Sequence, residues 1–187
     1  GKVIGIAPAR GYTSKVFGVS TGVYANRLNF AIAQLVKAGL EAEGATVILT
    51  YTDVKQSPDD TARAKALNGA DVDIALRIEC NSVSAADTRG AQMWIPSAHE
   101  NQTQCEKFAK TMLSAYTKAT DLPIRLYNNA SIRKLDDLDI FNKTVSPIAS
   151  IILGHISNTA EDKLLNDADF QKKMAKGIVD GFLAYFG

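Results

Sequence analysis

The sequence predicts an α/β domain of three layers, αβα, built on a mostly parallel, twisted central sheet. Three observations carry that prediction. Short apolar runs alternate with amphipathic helical stretches along the chain. Runs such as Val47-Ile48-Leu49 and Ile148 to Leu153 are apolar at nearly every position, so helices are expected on both faces of the sheet. The 187 residues contain no internal repeat, low-complexity tract or linker, and a chain of this length buries most of its apolar surface in a single core. One domain, 1–187, is expected.

Taken in order, Val3-Ile4-Gly5-Ile6 reads as a buried strand running toward Pro8, followed by a polar, glycine-rich loop from Arg10 to Gly22. A long helix is expected from about Tyr24 to Glu43, with Leu28, Ile32, Leu35 and Leu40 near one face and Gly44 as its stop. Val47-Ile48-Leu49 is the second strand. Asp59 or Asp60 caps a short helix through Leu67, and Asp73 to Glu79 forms the third strand. Gly90 to Ile95 alternates as a strand ended by Pro96. Cys105, Phe108, Met112 and Ala115 give the inner stripe of a helix from about Gln102 to Lys118. Asp121 to Ser146 is the least regular part. The apolar strand Ile148 to Leu153 follows, and two helices finish the chain. The last of these carries Phe170, Met174, Ile178 and Phe182 at four-residue spacing behind Asp167 or Asn166 as N-cap.

Composition narrows the function classes. Twenty-one basic and 20 acidic residues, scattered without a block of like charge, argue against nucleic acid or an anionic membrane surface as partner. No apolar run approaches the roughly 20 residues of a membrane span. The chain opens directly on a strand-like segment without a signal peptide, as expected of a cytosolic protein or of a mature or excised domain. Two cysteines and two histidines are too few for a Cys/His zinc site, and Cys80 and Cys105 lack metal-knuckle spacing, although a disulfide between them stays open. In a sheet of this class ligands gather beyond the carboxyl ends of the strands. That rule selects the loop after Ile6, the segment Glu79-Cys80-Asn81, and Gly154-His155.

The content of those segments resembles one family. Ala7-Pro8-Ala9-Arg10-Gly11 stands where the family pattern reads D-P-G-H-G-G, and Ala25-Asn26-Arg27-Leu28-Asn29 where its first long helix begins with Glu. Val47-Ile48-Leu49-Thr50-Tyr51-Thr52-Asp53 matches V-x-L-T-R-x-x-D, and Arg63 with Asn68 matches the following R…N helix. Asp73 through Arg77-Ile78-Glu79-Cys80-Asn81 matches A-D-x-x-x-S-x-H-x-N, and Gly90-Ala91 leads the next strand. Pro147-Ile148-Ala149-Ser150-Ile151-Ile152-Leu153-Gly154-His155-Ile156-Ser157-Asn158 matches P-A-x-L-x-E-x-G-F-x-S-N, followed by Glu161-Asp162 and Leu164-Leu165. Over nearly its whole length the chain thus resembles the zinc-dependent N-acetylmuramoyl-L-alanine amidases (amidase type 3), which remove stem peptides from peptidoglycan.

The resemblance implies a zinc ion held by His, Glu and His, with a second Glu as general base and acid. In this chain the three ligand positions are Arg10, Ala25 and Glu79, and the catalytic position is Ile152. Arg10 is a permanent cation, Ala25 has no donor atom and Ile152 cannot move a proton, so only Glu79 is able to ligate. The expectation is therefore a lost zinc site, no cofactor, no catalytic residue, and an ion pair between Arg10 and Glu79 in the metal's place, with Ala25 and Ile152 closing the space. The function expected is a degenerate amidase-like domain of the cell envelope, extracytoplasmic or secreted. It would bind peptidoglycan stem peptide or another envelope protein through Arg10, Glu79, Asn81, Cys80, Arg133 and His155. Two other readings stand beside it: an active amidase using non-standard residues, and a structural domain of a larger envelope protein.

Individual residues have plainer alternatives. His155 reads as a packing or hydrogen-bonding histidine rather than a ligand of a relocated metal. Cys80 reads as a small buried thiol rather than a nucleophile activated by His155. His99 is expected at the surface. Arg133, Lys134, Asp136 and Asp137 make either a solvated loop or a rim contact for a peptide carboxylate. Trp94 and Tyr127 could stack on a sugar, with Trp94 expected in the core.

Overall fold

A computed structural model describes residues 1–187. Six strands form one sheet in the order β2-β1-β3-β6-β4-β5: β1 Val3–Pro8, β2 Thr46–Leu49, β3 Ile74–Asn81, β4 Gln92–Pro96, β5 Ile132–Leu135 and β6 Ile148–His155. The pairs β1–β2, β1–β3, β3–β6 and β4–β5 are parallel, and β4 runs antiparallel to β6. The reversal sets the start of β4 beside the carboxyl half of β6, with Gln92 opposite Ile152.

One face is covered by α1 (Ala25–Ala42), α3 (Gln102–Thr120) and α6 (Ala168–Phe186), enclosing the larger core. Against the other face lie α2 (Asp60–Gly69) and the short α4 (Asp139–Lys143), around a smaller apolar cluster that includes Leu67, Ile140 and Phe141. The three expected layers are therefore present. The seven-residue helix α5 (Thr159–Leu165) leads from β6 into α6.

Every residue of β3 and β6 is buried, which their apolar content allows and a central position requires. Side chains alternate across the pleat. Ile74, Leu76, Ile78 and Cys80 enter the larger core, so Ala75, Arg77, Glu79 and Asn81 share the opposite face. Four residues of β3 thus put three polar groups on one face of the strand, and this builds the site.

Helix α1 buries Leu28, Ile32, Val36 and Leu40, while Leu35 is 38% exposed. The stripe expected through Leu35 runs through Val36, because the buried line advances four residues per turn here. In α3 the inner position is likewise Tyr116 rather than Ala115, with the Tyr116 hydroxyl donating to the Leu153 carbonyl at 2.9 Å. Asp59 caps α2, and Asp167, not Asn166, caps α6. The irregular stretch 121–146 contains β5 and α4, neither of which was anticipated.

Candidate functional site

Strand β1 ends at Pro8, and the chain leaves the sheet through Arg10, whose φ of +63° is left-handed. That conformation is costly for a residue with a side chain and persists only where neighbours impose it. Here the Arg10 carbonyl accepts from Arg63 Nη2 at 2.8 Å and from the Tyr51 hydroxyl at 3.2 Å. Arg63 is itself buried, pairs with Asp60 at 3.1 Å and lies 5.7 Å from the Tyr51 ring centre. From the other side, Asn29 of α1 donates to the Ala9 carbonyl at 2.9 Å and accepts from the Cys80 amide at 2.7 Å. One side chain thereby ties the end of β1 to the end of β3.

So positioned, Arg10 Nη2 donates to Glu79 Oε1 at 2.9 Å, the ion pair expected from the sequence. The second Glu79 oxygen accepts from Arg77 Nη1 at 2.5 Å, and the same Nη1 reaches Ser150 Oγ at 3.1 Å. Glu79 and Arg77 are 5% and 9% exposed at the side chain, while Arg10 keeps 23%. Arg10 is the member of this cluster that meets solvent. Arg77 was not singled out in the sequence, although its place two residues before Glu79 in a strand fixes it on the same face. It also occupies the serine position of the family pattern.

Ala25, the first residue of α1, is fully buried, and the first turn of that helix holds no acidic side chain. Ile152 pairs in register with Glu79 on one side and Gln92 on the other. It too is fully buried, and it belongs to neither apolar cluster. The ladder shifts register between Glu79 and Cys80, an irregularity of the kind that sheets place beside functional sites. No group of three or more His, Cys, Asp or Glu side chains is arranged to share an ion.

Other candidate residues do not join this cluster. Cys80 is fully buried on the opposite face of β3, and burial drives its thiol pKa far up, so it is no nucleophile and no cleft contact. Cys105 is also buried, and both thiols are free rather than bridged. Asn81 spends its carbonyl on the Ile156 amide at 2.8 Å and its side-chain oxygen on the Ser82 amide at 2.9 Å. His155 is fully buried, with its backbone amide on Glu161 Oε2 at 2.8 Å and its Nε2 3.2 Å from Arg125 Nη1. A guanidinium only donates, so Nε2 is the acceptor and its lone pair is not free for a metal. His99, expected at the surface, is half-buried: Nδ1 accepts from the Asn101 amide at 3.0 Å and Nε2 donates to the Thr144 carbonyl at 2.9 Å. Arg133 lies on β5, at the far edge of the sheet from β1. Its guanidinium sits 4.2 Å from the Tyr127 ring centre and 5.9 Å from that of the partly buried Trp94.

The loop between β1 and α1 is held by a buried acid of α5. Asp162 Oδ2 accepts from the amides of Ser20 and Thr21, both at 2.7 Å, and Oδ1 from the Thr21 hydroxyl at 2.9 Å. Gly18 passes so close that a Cβ there would lie 1.9 Å from Asp162 Oδ1. Beside it, Glu161 accepts from the Gly90 amide at 2.6 Å and so fixes the entry to β4.

Comparison with known proteins agrees with this architecture. The family model for N-acetylmuramoyl-L-alanine amidase matches residues 4–184. The germination-specific N-acetylmuramoyl-L-alanine amidase of Bacillus subtilis is 23% identical, covering 100% of this chain and 80% of its own. The catalytic domain of the amidase CwlV from Bacillus (Paenibacillus) polymyxa var. colistinus superposes with a TM-score of 0.87 at 26% identity, covering 100% of this chain and 98% of that one. The CwlD amidase of Clostridioides difficile, solved in complex with the GerS lipoprotein, superposes with a TM-score of 0.85 at 20% identity, covering 100% and 98%. With the model matched from the first strand to the last helix, the chain belongs to the N-acetylmuramoyl-L-alanine amidase family.

Proposed function

We propose that this domain serves the cell envelope by binding peptidoglycan stem peptide without hydrolysing it and without holding zinc. One observation carries the reading: both oxygens of Glu79 are engaged by guanidinium groups, Arg10 on one and Arg77 on the other. The donor set does not fit a zinc ion. An arginine offers no lone pair and keeps its charge at any working pH, and two such cations beside one carboxylate repel a dication. Ala25 contributes no donor, and the isoleucine at 152 leaves no carboxylate to take a proton from a water molecule. A second envelope protein is the rival occupant, favoured by the lipoprotein bound to the CwlD relative.

The test pairs metal content with substrate. Protein incubated with excess zinc and then dialysed is expected to carry far less than one equivalent by elemental analysis. It is expected to co-sediment with purified sacculi and release no soluble peptide from them. Stoichiometric zinc together with peptide release would establish a working hydrolase instead, and protein left in the supernatant would remove the cell wall as ligand.

A further inference from the structure

We infer that the Arg10–Glu79–Arg77 cluster has changed the sign of the ion it receives, and that it binds a carboxylate of the stem peptide. The inference rests on the peptide-binding reading above and names the chemical group recognised. Charge is the first argument. The hydrogen-bonded network holds three guanidinium groups, Arg10, Arg63 and Arg77, against two carboxylates, Asp60 and Glu79, leaving one positive charge uncompensated. The other buried carboxylates have partners of their own: Asp162 accepts from the amides of Ser20 and Thr21, the Thr21 hydroxyl and the Asn166 side chain, and Glu161 accepts from two backbone amides and lies 4.0 Å from the Arg89 guanidinium.

Unused donors are the second argument. The Nε atoms of Arg10, Arg63 and Arg77 are buried without a hydrogen-bond partner, and the Arg77 side chain is 9% exposed. Buried donors of this kind are normally satisfied, and an orphaned one marks a place where an acceptor is expected. Access is the third. Arg10 alone of the three cluster members presents a substantial part of its side chain to solvent, and its backbone is fixed in the left-handed region by Tyr51 and Arg63. A guanidinium held in this way meets a carboxylate with little side-chain freedom left to lose.

The stem tripeptide L-alanyl-γ-D-glutamyl-L-lysine offers two such groups, the α-carboxylate of D-glutamate and the C-terminal carboxylate. Calorimetric titration of the intact domain with this tripeptide, and with versions amidated at one or the other position, distinguishes them. Amidation of the recognised group is expected to weaken binding roughly ten-fold, and Arg10→Gln is expected to weaken the acid form while leaving the amidated form little changed. Because the amidation arms use the unaltered protein, they stand even if the variant folds poorly. Equal affinity for all three peptides would overturn this inference and spare the broader one, whereas no peptide binding by a domain that still sediments with sacculi would overturn both and leave another part of the cell wall as ligand. Failure to bind sacculi as well would take both.

Discussion

Removing the Glu79 carboxylate leaves Arg10 and Arg77 facing each other with no charge between them, and the Arg77 side chain is only 9% exposed. Stranding one partner of a buried ion pair costs more than the pair contributes, because the desolvation of the remaining charge goes uncompensated. Glu79→Gln is therefore expected to lower stability by about 3 kcal/mol, read from urea unfolding. Arg10→Gln should cost less, since Glu79 keeps Arg77 and the Arg10 side is partly solvated. Equal losses would mean that Arg10, rather than Arg77, carries most of what the carboxylate contributes. The thiols give an independent check at the same scale. Burial raises both, Cys80 far above the usual thiol range, so neither forms thiolate in mildly alkaline buffer. A disulfide-exchange reagent is expected to titrate no thiol in the native protein and two after denaturation. Rapid reaction of one thiol in the folded state would contradict the burial of β3. At this scale the Arg10–Glu79 pair was legible because the resemblance sets two opposite charges at neighbouring strand ends. Arg77 was hidden because its place beside Glu79 follows from strand alternation and not from the family pattern.

Elements differ in how their loss would spread. Asn29 lies fully buried inside α1 and serves one backbone group on β1 and one on β3. Asn29→Ala leaves two buried backbone groups unpaired, at an expected cost of about 3 kcal/mol, and the whole sheet should melt earlier as one unit. Asp162→Ala removes three bonds to residues 20 and 21, whose surroundings are exposed, so water can replace the lost acceptor. Its expected signature is local: hydrogen exchange at Ser20 and Thr21 accelerating roughly ten-fold, with a smaller global loss than Asn29→Ala. Reversed ranking would place the loop, rather than the β1–β3 tie, at the centre of stability. The elements that the sequence concealed are those whose signals were weakest. Ile-Arg-Lys-Leu in β5 is an edge strand with two charges, and α4 has only five residues. Polar Asn29 was invisible as a core residue, because only the backbone groups it meets account for its place.

For the molecule as a whole, the order of apolar runs and helices gave the layers directly, whereas the reversal of β4 had no counterpart in the apolar pattern. The difference between a scaffold and the chemistry it carries can be tested on the entire chain. On the proposed reading, in which the family fold is intact and only side chains at the site differ, installing the family pattern there should confer metal affinity. Arg10→His, Ala25→Glu, Glu79→His and Ile152→Glu supply the ligands and the acid, but they leave the Arg77 guanidinium beside the position where a dication must sit. A neighbouring unit charge in a partly buried site opposes binding by several kcal/mol, so the fourfold variant is expected to take up little zinc. Adding Arg77→Ser, the residue of the family pattern, removes that repulsion, and the fivefold variant is expected to bind about one equivalent by elemental analysis. Should the fourfold variant already bind zinc stoichiometrically, Arg77 is not the electrostatic barrier assigned to it. Should the fivefold variant fold, as judged by its circular dichroism and melting, yet stay free of zinc, the backbone itself has drifted from metal-binding geometry and the loss lies deeper than five side chains.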